Sequence, residues 1–144
     1  MIEPDTVRLL RECDAGVKMG ASSIDDVLHY AHADALMEAL LKSRGEHERL
    51  SGDIRAELDR FGDEGKDPNP IAEKMSWLKT NVKLKMNESD AVIADLITDG
   101  CNMGVKSLNQ YLNAYTAAEE RSKDIAKKLI RLEKKLADDV CAFL

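Results

Sequence analysis

The sequence predicts an all-α fold: a four-helix bundle of two helical hairpins, joined by one long crossover that carries a short fifth helix. Three observations predict it. Aromatic residues are only 4% of the chain and prolines number 3, a balance that disfavours a β-sandwich. Ala, Leu, Lys, Glu and Asp abound, which favours helices. Apolar residues recur three and four apart over long runs, the spacing that puts them on one face of a helix. With 144 residues, one domain spanning 1–144 is expected, divided into hairpin one (5–62), crossover (63–88) and hairpin two (89–144).

The first helix is expected from Asp5 or Thr6, just after Pro4. Its stripe is Leu10, Cys13, Val17, Gly20, Ile24 and Val27, and it ends near His29 to Ala33. Asp34 is placed to cap the second helix. That helix carries Leu36, Leu40, Ser43, His47, Leu50, Ile54, Leu58 and Phe61, with Gly62 where a helix-ending glycine belongs. The segment DEGKDPNP, residues 63–70, is the clearest loop. Asn69 before Pro70 reads as a cap with proline at the first helical position. Ile71, Met75, Leu78, Val82 and Met86 then line the short helix. Asn87 to Asp90 breaks the pattern. The next stripe is Ile93, Ile97, Cys101, Gly104 or Val105, Leu108, Leu112 and Tyr115. Thr116 and Glu119 stand three apart as a capping box. The last stripe is Ile125, Leu129, Leu132, Leu136, Val140 and Phe143.

The two halves resemble each other. Cys13-Asp14-Ala15-Gly16-Val17-Lys18 aligns with Cys101-Asn102-Met103-Gly104-Val105-Lys106, four of six residues being identical. The stripes stay in phase beyond it, pairing Ile24 with Leu112 and then, after one residue of slip, Leu36 with Ile125, Leu40 with Leu129, His47 with Leu136 and Ile54 with Phe143. A duplicated hairpin is therefore expected. A crossover helix about 24 Å long carries the chain back along the bundle, the arrangement of ferritin-like folds. The first and third long helices are then antiparallel neighbours. Gly16 and Gly104 are expected to meet where they cross, with Cys13 and Cys101 buried and reduced near the same waist.

Lys18-Met19-Gly20-Ala21-Ser22-Ser23-Ile24-Asp25, Lys74-Met75-Ser76-Trp77 and Asn102-Met103-Gly104-Val105 together resemble an uncharacterised family of short bacterial helical proteins. The resemblance implies a ferritin-like four-helix bundle over nearly the whole chain and implies no activity.

A net charge of −6 argues against nucleic acid as the main partner. The opening MIEPDTV has no apolar run, no stretch approaches a membrane span, and the three Cys are odd in number. A cytoplasmic protein with reduced thiols is expected. The expected partner is a second copy of the chain or another protein.

The candidate sites are few. Ferritin-like di-iron centres use Glu-x-x-His on two helices. The three His here are His29, His32 and His47, and none has Glu three residues before it. No cofactor is expected, and no catalytic constellation is present. His47, the odd residue on the second stripe, with Cys13 or Cys101 nearby, is the candidate for an alternative role as a metal-binding or redox and stress-related bundle. Otherwise His47 is a core histidine that leucine could replace. Asp25, Asp26, His29 and His32, within two turns, are a second metal candidate because i, i+3 imidazoles suit a divalent ion. Cys141-Ala142-Phe143-Leu144 has the form of a prenylation box, yet Val140 and Phe143 continue a helical stripe. Lys74, Lys79, Lys83 and Lys85 with Trp77 make residues 70–86 a candidate for membrane-surface docking. Residues 121–135 hold seven Lys and Arg against Asp124 and Glu133, which reads as a solvated face.

Overall fold

The computed structural model describes residues 4–70, 73, 79–84 and 87–144. Four long helices dominate: α1 (Pro4–Leu28), α2 (Asp34–Arg60), α3 (Asp90–Ala114) and α4 (Glu120–Val140), followed by a 3-10 turn at Cys141–Phe143. There is no strand among the described residues. Of the crossover, Pro70, Glu73 and residues 79–84 are helical. Lys74, Met75, Trp77, Lys85 and Met86, which belong to the expected surface-docking segment, lie outside the described residues, as do Ile71 and Leu78.

The apolar stripes decide the packing, and they form two clusters. One joins Leu9, Leu10, Cys13 and Val17 of α1 to Leu50, Ile54 and Leu58 of α2, Leu108 of α3 and Ile125, Ala126 and Leu129 of α4. The other joins Ile24 and Val27 to Leu36 and Leu40, Ile93, Ile97 and Cys101, and Leu136 and Val140. The beginnings of α1 and α4 thus share a level with the ends of α2 and α3. α1 and α4 run one way, and α2 and α3 the other. The chain leaves α2 at one end of the bundle and enters α3 at the opposite end. The expected antiparallel arrangement of the first and third long helices is present.

Helix ends explain why the chain turns where it does. At the end of α2, Gly62 has φ +65°, and the Gly62 and Asp63 N–H groups donate to the Asp59 and Leu58 carbonyls, each at 3.0 Å. That is a Schellman closure, which glycine at this position permits. Ser89 caps α3, its Oγ accepting from Val92 N–H at 3.2 Å. Two other expected caps are not formed. Asp34 is the first helical residue of α2, after Ala33, which makes no side-chain cap. Thr116 does not cap α4, which begins at Glu120. Each interhelical turn is instead tied by the other hairpin. Asp90 accepts from His32 N–H at 2.8 Å and Ala33 N–H at 3.0 Å. Asp5 accepts from Ala117 N–H at 3.1 Å, and Thr6 Oγ1 from Glu119 N–H at 2.8 Å. Long-range partners therefore supply what local capping would have supplied.

The start of the crossover is clamped to α1 by charge. Asp14 is only 1% exposed, and its carboxylate accepts from Lys18 Nζ at 2.9 Å and from the Lys66 backbone N–H at 3.0 Å. The Arg11 guanidinium donates to both Asp63 oxygens and pulls that carboxyl below its usual range. Gly65 has φ +86°, and a Cβ there would collide with Asp14 Oδ2, so glycine is required twice over. Asp14→Ala should cost about 2 kcal/mol, since it strands a backbone donor and a cation's partner. Urea denaturation checks this, and unchanged stability would show that the clamp contributes nothing. Asn102, the repeat counterpart of Asp14, is exposed, so the aligned positions have different roles.

Candidate functional site

The only His on an apolar stripe lies at the junction of the two apolar clusters. His47 of α2 is 0% exposed and Glu133 of α4 is 7% exposed. His47 Nε2 lies 2.7 Å from Glu133 Oε1, and Nδ1 lies 2.8 Å from the Ser43 carbonyl oxygen one turn earlier. A carbonyl and an ionised carboxylate only accept, so this arrangement favours N–H donors at both ring nitrogens, the imidazolium form. Burial alone would lower the His47 pKa. The Glu133 hydrogen bond and charge outweigh burial, with the Ser43 carbonyl adding to them, and hold the ring above its ordinary value.

All four helices meet at this pair. α1 contributes Gly20, where a Cβ would stand 2.5 Å from His47 Nε2 and 3.1 Å from Glu133 Oε1. α3 contributes Gly104, whose Cβ would make an ordinary 3.5 Å contact with Glu133 Oε2. It also contributes Cys101, whose pKa is pushed up by burial and then by the nearby Glu133 charge.

The structure corrects the placing of Glu133 on a solvated face. It is buried because it stands four residues after Leu129 and three before Leu136, both on the α4 stripe. That spacing is the signal in the sequence, hidden by the surrounding lysines. The rest of the expectation holds: among residues 121–135 every Lys and Arg but the half-buried Lys123 is exposed.

The expected meeting of Gly16 and Gly104 does not occur. A Cβ on Gly16 would face Leu129 of α4 at 3.5 Å, and one on Gly104 would face Glu133. Gly16 faces Leu129, and Gly20, four residues on, faces His47 of α2 and then Glu133, four residues after Leu129. The Gly16-x-x-x-Gly20 spacing therefore serves the contacts of α1 with α4 and α2 rather than with α3. The two cysteines do not share a waist either. Cys13 belongs to the cluster that holds Leu9 and Ile54, whereas Cys101 belongs to the cluster that holds Ile24. Burial, then the charges of Glu12 and Asp14, push the Cys13 thiol up to about 12. Cys141 is exposed, in the 3-10 turn rather than in α4.

The second metal candidate is dispersed. α1 ends at Leu28, so His29 and His32 lie in the turn and lack helical i, i+3 geometry. The His29 ring lies tilted against Tyr30, Asp25 pairs with Arg44, and burial together with Asp25 and Glu73 pushes the Asp26 carboxyl up. Among the described residues, no group of three or more His, Cys, Asp and Glu side chains is arranged to hold a metal ion. No helix among them is long and apolar enough to cross a membrane.

In comparisons with known proteins, the chain matches no family model, no curated protein and no solved structure at a significant level.

Proposed function

We propose that this chain is a non-enzymatic, ferritin-like bundle of the cytoplasm that acts through its surface, as a structural or interaction protein in complex with a second copy or another protein. The observation that supports this most is the His47–Glu133 pair. Both imidazole nitrogens are committed to acceptors, so His47 offers no lone pair to a metal or substrate. The carboxylate beside it is engaged by the ring. The centre of the bundle, where a ferritin-like protein would place its chemistry, is filled by groups that satisfy one another.

Two measurements test the reading against the alternative of a metal-binding or redox bundle. Protein purified without added metal should hold much less than one iron per chain, and stoichiometric iron bound in the bundle interior would sink the proposal. Of the three thiols, only Cys141 should react quickly with Ellman's reagent in the native state. Cys13 and Cys101 should react at the rate of unfolding, because a buried thiol with a raised pKa supplies little thiolate. Rapid reaction of either would favour the redox alternative.

A further inference from the structure

We propose that the outer crest of α4, together with the groove between α4 and α2, docks an acidic amphipathic helix of a partner protein. This rests on the reading that the chain acts through its surface.

Residues 127–135 contain Lys127, Lys128, Arg131, Lys134 and Lys135 against one carboxylate, Glu133, which is buried. The five cations are exposed in a chain whose net charge is −6. Elsewhere most of the described cations pair with carboxylates, among them Arg11, Lys18, Arg44, Arg55, Arg60, Lys66, Lys79 and Lys83, whereas Lys42, Arg49 and Lys106 do not. On the crest, Lys127, Lys128, Arg131 and Lys134 have no ion partner among the described residues, and only Lys135 reaches one, Asp139 at 3.5 Å. Lys42 of α2 and Lys135 line an adjoining hollow together with Glu46 and Asp139. Like charges held together on a surface rich in spare carboxylates point to an anionic occupant.

The shape of the face selects the kind of anion. The groove has a volume of about 210 Å³, and Leu50 and Leu132 line it between Arg49 and Lys128. An apolar floor under charged rims suits a helix with one apolar and one acidic stripe. Lys127, Arg131 and Lys134 are spaced i, i+4 and i+7, so they repeat over about 10 Å of helix and match carboxylates at the same spacing. Glu46 and Asp53 on the α2 rim confine the attraction to the α4 side. The exposed large apolar side chains among the described residues are Leu41, Val82, Met103 and Leu144, and none is on α4. The crest therefore lacks the apolar anchors of a membrane-surface helix. It also lacks the aromatics on which single-stranded bases stack.

Fluorescence anisotropy with a labelled synthetic helix tests the proposal. The probe carries Glu at i, i+4 and i+7 on one stripe and Leu on the next. The full chain should bind it at low salt and lose at least about tenfold in affinity at high salt. The triple variant Lys127→Glu, Arg131→Glu, Lys134→Glu should lose at least about tenfold, because rim charges set encounter and orientation. Lys106→Glu, on α3, should bind as the parent does. Circular dichroism would establish that the variants are folded. The proposal is overturned if the Glu helix does not bind, if the triple variant binds it equally, or if phosphatidylserine vesicles or a short duplex DNA bind more tightly. Salt-dependent self-association abolished by the triple variant would assign the crest to a second copy and would also overturn it. None of these outcomes bears on iron content or thiol reactivity, which test the broader reading separately.

Discussion

Replacing His47 with leucine is expected to cost about 3–5 kcal/mol, because it leaves the Glu133 carboxylate buried without its cation. From the sequence alone the same substitution looks harmless, since Leu136 occupies the matching position of the second hairpin. The difference lies in Glu133. Replacing both residues, His47→Leu with Glu133→Leu, should return stability to within about 1 kcal/mol of the parent, because a well-packed apolar pair often equals a buried ionic one. The pair also predicts a pH dependence. The folded His47 pKa lies above the ordinary value of 6.5. Its stabilisation is therefore fully present below that value and is lost as pH rises through the folded pKa. Urea denaturation of the parent and the double variant, from about pH 6 to about pH 10, reads this directly. The stability of the parent relative to the double variant should fall with rising pH. A difference that stays flat or grows would show that His47 is neutral throughout.

Gly20→Ala is expected to cost about 2–3 kcal/mol, although alanine is the better helix former by about 1 kcal/mol. The added Cβ would stand 2.5 Å from His47 Nε2 and 2.8 Å from Cδ2. The ring cannot swing aside cheaply, because both its nitrogens are bound and it has no exposed surface. Gly16→Ala supplies the control within the same helix. Its Cβ would make only an ordinary 3.5 Å contact with Leu129 Cδ2, so it should gain up to about 1 kcal/mol. Equal effects of the two substitutions on the urea midpoint would show that α1 is not held tightly against the pair.

Where these residues lie on their helices is legible in the sequence, and what they touch is not. Periodicity places Leu36, Leu40, Leu50, Ile54 and Leu58 on one face, and all five are buried. It places Ile93, Ile97, Cys101 and Leu108 likewise. Gly62 marks the end of α2 because a left-handed residue is a local requirement that glycine meets. Caps are less legible. Thr116 and Asp34 have capping chemistry, but Asp5, Thr6 and Asp90 reach the turns from the other hairpin. A local motif cannot reveal a competitor that lies far along the chain.

Short-range patterning suffices for the four long helices and their buried faces, because each depends on neighbours within a few turns. It suffices also to mark His47 as an interior polar residue that needs a partner. Packing in three dimensions settles that the partner is Glu133, that Gly20 rather than Gly104 is the close contact, and that Cys13 and Cys101 lie at different levels. Those outcomes depend on how four helices rotate and slide against one another. A stripe fixes which side of a helix faces inward, but many rotations of a few tens of degrees satisfy it equally. The carboxylate on the α4 stripe breaks that degeneracy, since burying it is tolerable only where the imidazolium of α2 can reach it.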